Sequence, residues 1–253
     1  MKIICDTNIW YEFAKTPPNE KLYVENDLIS TFISIDELSK TYNILKNLDL
    51  VKETTRAIFN YSEKRRNAIY DPPLVYLKKL SDPNFVYDTY NKHKASFLFT
   101  EKIAQGVILT DQDKIIIEKY CQEREEKIKL FTDIFNERAT VIKAKIKNKK
   151  KHREAFSWEL NKEFINFLVA SYTNTEGLDN NFDWSQITLF QKVLKIYFND
   201  LELGARKMQI NDVNDLFLLM YVKPNDKFWT KENKWIKYIK AASLDEYIYE
   251  PNR

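Results

Sequence analysis

Lys2-Ile3-Ile4-Cys5-Asp6-Thr7-Asn8-Ile9-Trp10 is the stretch on which the fold turns. A short apolar run, Lys2 to Cys5, leads directly into an acid. The run is too short for its period to separate strand from helix, and it is read as a buried strand. Asp6 then stands at the strand's C-terminal end. In open α/β sheets that edge is where ligands bind. A carboxylate there is either a loop cap or a metal ligand, and three further acids bear on the choice.

At 253 residues the chain is long enough for one large domain or two small ones with a sizeable core. Its 44% apolar and 30% charged residues fit a soluble protein. Only 3 glycines occur, which weighs against Gly-rich phosphate loops and sheets built on tight hairpins. Glu, Lys, Leu and Ile dominate, so helix is expected to predominate. The 15 Tyr, 16 Phe and 5 Trp are read mainly as core rings. A net charge of +3 permits a polyanionic partner without demanding one. Two cysteines, Cys5 and Cys121, are too few for a disulfide framework or a cysteine-built zinc site. No secretory leader is read ahead of the first strand, and no apolar stretch approaches the roughly 18 residues of a membrane span. A cytoplasmic protein with no membrane partner is expected.

Residues 1–10 read as strand one, followed by a turn or short helix around Tyr11 to Ala14. Leu28 to Ser34 is a second short apolar segment. Ser34-Ile35-Asp36-Glu37 has the S-x-x-E spacing of a capping box, with a helix running from Ile35. From Asp111 to Lys150, Ile128, Phe131, Phe135, Ala139, Ile142 and Ile146 fall at helical spacing, predicting a long amphipathic helix. Phe156–Tyr172 and Trp184–Leu203 read as two more helices. Asp212 is placed as the N-cap of a helix over Leu216 to Val222. Lys227-Phe228-Trp229 is a strand candidate, a helix follows through Trp235 and Ile239, and a last strand is placed near Tyr247 to Tyr249.

Four acids recur in similar settings. Asp6 ends strand one, Glu37 and Asp215 are placed in the first turns of helices, and Glu232 follows the Phe228-Trp229 strand. Singly, each suits a helix N-terminus or a solvated surface. Together, on one edge of a parallel sheet, they would repel strongly unless a cation neutralised them. Mg²⁺ or Mn²⁺, which prefer hard oxygen ligands, would do so.

The pattern resembles the PIN-domain nuclease family. The matching residues are Asp6-Thr7-Asn8, the helix segment Ile33 to Ser39 with Glu37, Asn214-Asp215-Leu216, and Thr230-Lys231-Glu232. The resemblance covers roughly residues 1–45 and 210–250. It implies an α/β, Rossmann-like PIN fold with a mostly parallel central sheet, enlarged by a large helical insertion. The core would comprise residues 1–50 and 205–253, with 51–204 as the insertion. It implies Asp6, Glu37, Asp215 and Glu232 as catalytic, metal-binding acids, with Asn8, Thr230 and Asp212 in support and Asp36 as a neighbour able to assist. The chemistry implied is divalent-metal-dependent hydrolysis of RNA phosphodiesters, needing no His, Ser or Cys nucleophile. The two histidines, His93 and His152, lie among lysines and are read as surface residues.

The run Lys143 to Arg153 carries seven Lys/Arg in eleven residues. It reads either as a solvated helix end or as an RNA-binding patch through Lys147, Lys149, Lys150, Lys151 and Arg153. The partners implied are RNA, a protein regulator of the antitoxin kind, and a second copy of the chain. The rival reading is a non-catalytic PIN-like module that binds RNA or protein.

Overall fold

The computed structural model describes residues 1–63, 66–146, 153–203 and 206–251. The chain opens with β1 (Lys2–Cys5), α1 (Thr7–Lys15), α2 (Glu20–Glu25), β2 (Asp27–Thr31) and α3 (Phe32–Ser39). It continues through α4 (Asn43–Lys46), α5 (Leu48–Tyr61) and β3 (Ala68–Ile69). Four helices follow: α6 (Pro73–Ser81), α7 (Thr89–Gln105), α8 (Asp111–Ile146) and α9 (Arg153–Thr173). Then come α10 (Thr188–Glu202), α11 (Ile210–Leu218), β4 (Lys227–Trp229) and α12 (Asn233–Ala241).

The four strands form one sheet in the order β3-β2-β1-β4, and every pairing is parallel. The expected α/β class and parallel sheet are therefore present, in an arrangement compatible with a Rossmann-like fold. Alternation along the strands explains why it is buried on both faces. Ile3 and Cys5 of β1 enter one apolar cluster with Leu28 and Trp229, while Ile4 enters the other with Ile29 and Phe228. Successive side chains of a strand point to opposite faces. A parallel sheet covered on both sides needs apolar residues at nearly every position. Ile3, Ile4 and Cys5 are at most 1% exposed.

One cluster gathers Trp10 and Phe13 of α1 with Val51 and Ile58 of α5. The other gathers Phe135 of α8, Phe164 and Ile165 of α9, Phe190 and Phe198 of α10, and Leu216 of α11. Helix α8 serves both: Ile117 and Cys121 join the first cluster, and Ile128, Phe135 and Ala139 join the second. At about 1.5 Å per residue it runs about 54 Å, long enough to span the two. None of the helices among the described residues is long and apolar enough to cross a membrane.

Several expected boundaries are corrected. Strand one stops at Cys5, and Thr7 already opens α1. Helix α3 starts at Phe32 with Thr31 at its N-cap, so Ser34 is buried inside the helix and makes no capping box with Glu37. Helix α11 starts at Ile210. A capping box is present there, but between Gln209 and Asp212, so Asp212 is its N3 residue and not its N-cap. Tyr247 to Tyr249 form no strand. Asp245–Tyr247 is a 3-10 turn, and Ile248 makes a single parallel bridge to Phe228. The edge strand β3 comes from within 51–204, the stretch set apart as insertion, and α5 of the same stretch packs on α1. Of the basic run, Lys147, Lys149, Lys150 and Lys151 lie outside the described residues, as does His152, and Arg153 is described only as backbone opening α9.

Candidate functional site

Strand order places the crevice. From β1 the sheet grows through β2 to β3 on one side, and β4 lies on the other. The chain's winding therefore reverses between β1 and β4. In open α/β sheets a ligand crevice forms at such a reversal, outside the carboxyl ends of the strands. Asp6 follows β1 there and Thr230 follows β4. The Asp6 backbone N–H extends the ladder by donating to the Trp229 carbonyl at 2.9 Å.

The side chains tighten this junction. Thr230 Oγ1 and Asn8 Nδ2 both donate to Asp6 Oδ2, each at 2.6 Å. Thr230 Oγ1 accepts in turn from Asn8 Nδ2 at 3.3 Å and from the Glu232 backbone N–H at 3.0 Å. The Lys231 backbone N–H donates to Asn8 Oδ1 at 3.2 Å. Asp6, Asn8 and Thr230 thus form one network across 224 residues of sequence. Asp6 is only 7% exposed.

Burial is the largest cause of the perturbed Asp6 carboxyl, and the charges of Asp215 and then Glu37 add to it. The Thr230 hydrogen bond works the other way, and the net result is a carboxyl pushed up to about 7. Asp215 is pushed up to about 6, first by burial, with Glu232 and Glu37 adding repulsion. Trp235 Nε1 donates to Asp215 Oδ2 at 2.8 Å, and Lys234 lies near enough to lower its carboxyl. Glu37 is raised by burial and by Asp36, against the pull of Arg124 and a hydrogen bond with Thr7. Glu232 is exposed at the N-cap of α12, where its side chain makes no capping bond. Three predicted acids are therefore buried or half-buried within electrostatic reach of one another, and the fourth stands at the rim beside Asp215.

Glu37 and Asp215 are not in first turns, as expected, but in second turns, each the sixth residue of its helix counted from Phe32 and Ile210. Neither caps anything. Asp36 and Asp212 are both paired with cations. Asp36 carries Lys40 and Arg124, whose Nε donates to Asp36 Oδ2 at 3.1 Å. These cations outweigh its burial and hold its carboxyl below the usual range. Asp212 is 3% exposed and takes bonds from Lys234, from Tyr197 Oη at 2.6 Å and from the Gln209 N–H at 3.2 Å. Those bonds outweigh its burial and hold it low as well.

Thr7, Arg124, Lys234 and Trp235 are neighbours of the acids that sequence reasoning did not select. Thr7 stands inside the quoted Asp6-Thr7-Asn8 triplet. Trp235 packs in the core as expected of the chain's aromatic rings, at 0% exposed, and its indole also holds Asp215.

The donor set of Asp6, Glu37, Asp215 and Glu232 is all carboxylate oxygen, which suits a hard divalent cation in kind. Among the described residues no group of three or more His, Cys, Asp or Glu side chains stands assembled to hold a metal ion. Comparison with protein-family models, with curated proteins and with solved structures finds no match to this chain.

Proposed function

We propose that the chain is a divalent-metal-dependent ribonuclease of the PIN type. The observation that carries this is electrostatic contact near the point where the sheet's winding reverses: the charges of Asp215 and Glu37 raise the proton affinity of Asp6, and that of Glu37 raises Asp215. Mutually repelling carboxylates in a crevice form the setting in which perturbed ionisation marks functional sites.

Asp6, Glu37 and Asp215 would hold Mg²⁺ or Mn²⁺, with Glu232 at the rim. The ion would supply Lewis-acid polarisation of the scissile phosphate and an acidified water. The chain's own groups set the stage. Thr230 and Asn8 fix Asp6 by two hydrogen bonds to Oδ2, and the Thr7 backbone N–H adds a third bond to the carboxylate. Trp235 fixes Asp215 by one hydrogen bond from its indole to Oδ2. The raised carboxyls mean that a cation entering at neutral pH displaces a proton from Asp6, so binding should tighten as pH rises through about 7.

A second reading, a non-catalytic binding module on the same fold, is favoured by one observation. Arg124 beside Glu37 and Lys234 beside Asp215 already bring cationic charge to the acids. The test separates the two: mixed RNA is incubated with the protein in Mg²⁺ or Mn²⁺, in EDTA, and with Asp6→Asn. Cleavage that needs the metal and vanishes in Asp6→Asn supports the nuclease. RNA binding without cleavage in any metal supports the module.

A further inference from the structure

Beside the acidic crevice lies a separate cavity of about 320 Å³. It is lined by α3, the kinked α7, α8 and α11, and it contains none of the four proposed metal-binding acids. Its walls are aromatic, with Phe32, Phe99, Phe131 and Phe217. Its charge is lopsided. Lys40, Lys92, Arg124 and Lys127 face two carboxylates, Asp36 and Glu123, leaving an excess of two cations. Lys40 and Arg124 are engaged with Asp36, and Lys92 lies over the Tyr87 ring at 4.0 Å, so exposed Lys127 with Lys92 carries the excess.

The cavity also holds an unanswered polar atom. His93 breaks the helical geometry of α7 (φ −119°, ψ 16°) and lays its ring edge-on against Phe32 at 4.6 Å. Its Nε2 is buried and has no hydrogen-bond partner. A buried ring nitrogen without a partner is rare and costly, and a bound ligand is one explanation of it. The expectation that His93 is a plain surface residue is thereby corrected. Burial, followed by the charge of Lys40, lowers its proton affinity, so the ring is neutral and can give or take one hydrogen bond at each nitrogen.

Position connects this cavity to the acids. Asp36 and Asn214 line it, and the residues that follow them are Glu37 and Asp215. We propose that the cavity receives one unpaired nucleotide next to the scissile phosphate, its base among the phenylalanine rings with an edge at His93 Nε2, and its phosphate toward Lys92 and Lys127. The identity of the strand rests on the ribonuclease reading; the preference for a flat ring joined to an anion rests on the cavity itself. Single-stranded RNA is recognised in this way, by unstacked bases packed on aromatic side chains and hydrogen-bonded at their edges. Cavities of about 300 Å³ and upward are the size that small ligands fill.

The test is calorimetry on the intact chain in EDTA, with adenosine and uridine 5′-monophosphates titrated to about 1 mM, a ceiling that reaches weak affinities. Adenosine alone and inorganic phosphate alone are the control ligands. Saturable binding of either nucleotide is expected, at least tenfold tighter than of either control. Ala95→Trp, on the exposed side of α7 and facing the cavity, should weaken it tenfold or more by filling the space. Lys127→Glu, at the exposed rim, should weaken it severalfold and flatten its salt dependence. Absence of binding by both nucleotides overturns the proposal, as does binding unaltered in both variants. Because no metal is present, the outcome is separate from that of the cleavage assay. RNA cleavage without nucleotide binding sinks the cavity alone, and nucleotide binding without cleavage sinks the nuclease alone.

Discussion

Removing the charge of Asp6 should stabilise the metal-free protein at pH 8, although the residue is buried and doubly hydrogen-bonded. Its carboxyl rises from an ordinary 3.8 to about 7 in the folded chain. For an acid raised by folding, the native state holds the proton longer than the unfolded one. Stability is therefore full below about 3.8 and falls as pH climbs toward 7. At about 1.4 kcal/mol per pKa unit, ionising Asp6 in the fold costs roughly 4 kcal/mol at pH 8. Asp6→Asn avoids that cost. Its amide oxygen still accepts from Thr230 and Asn8, while its N–H₂ needs an acceptor and costs about 1–3 kcal/mol if it finds none. The expected net gain is about 1–3 kcal/mol. At roughly 2–4 °C per kcal/mol for a chain near this size, that is a rise of several degrees in melting temperature. The assay is thermal unfolding of both proteins in EDTA at pH 5 and pH 8, then at pH 8 with Mg²⁺. The variant should lead most clearly at pH 8, and Mg²⁺ should narrow or reverse its lead by stabilising only the chain that binds it. A variant less stable than the parent in EDTA at pH 8 would refute the repulsion argument and make Asp6 a structural cap.

Two acids of α11 should answer oppositely to the same change: Asp212→Asn lowers metal-free stability, because Lys234 loses its partner, and Asp215→Asn leaves it level or raises it. Chemical denaturation in EDTA measures both. Phe135, 0% exposed between Phe164 and Phe198, should cost about 3–5 kcal/mol when cut to Ala, read from the same unfolding curves. Replacing Lys147, Lys149, Lys150 and Lys151 with Gln should flatten the salt dependence of RNA affinity by about 0.7 in log–log slope per lost phosphate contact, leaving turnover at saturating RNA unchanged. An unaltered slope would make that run a solvated helix end.

The elements legible in the sequence are those whose signal is local. Ile3-Ile4-Cys5 followed by Asp6 announces a buried strand and its edge, and Phe228-Trp229 followed by Thr230 does so again. The two are neighbours in the sheet. The stripe through Ile128, Phe135 and Ala139 announces α8 and is buried as expected. What escaped has no local signal or a misleading one. Strand β3 is two half-buried residues, too short to show any period. Ser34 and Glu37 imitate a capping box, but Ser34 Oγ sits 3.2 Å from Thr7 Oγ1 inside the core. The start of α11 is capped by Gln209, a residue type that does not stand out at helix N-termini. Arg124 lies 88 residues from Asp36 and is brought beside it only by the packing of α8.

The deeper reason sequence alone left Asp36 and Asp212 as alternates to Glu37 and Asp215 is that each pair is nearly equivalent along the chain. Asp36 and Glu37 are adjacent, and Asp212 and Asp215 are three apart on one helix face. Folding separates them by the charge each one meets. In the first pair Lys40 and Arg124 converge on Asp36 and hold its carboxyl low, while Glu37 has the pull of Arg124 and a Thr7 hydrogen bond, and burial still raises it. In the second, Lys234, Tyr197 and the Gln209 N–H bond Asp212, while Asp215 has the Trp235 indole and only the charge of Lys234, and is pushed up to about 6. In both pairs the satisfied acid holds the scaffold, and the under-satisfied one is turned toward Asp6. A carboxylate needed only to secure a helix would gain nothing from such treatment. Three carboxyls held by neutral donors and raised by burial in one crevice cost stability when ionised, and on the nuclease reading a divalent cation would offset that cost; this makes the crevice, more than any single motif, the place to test for activity.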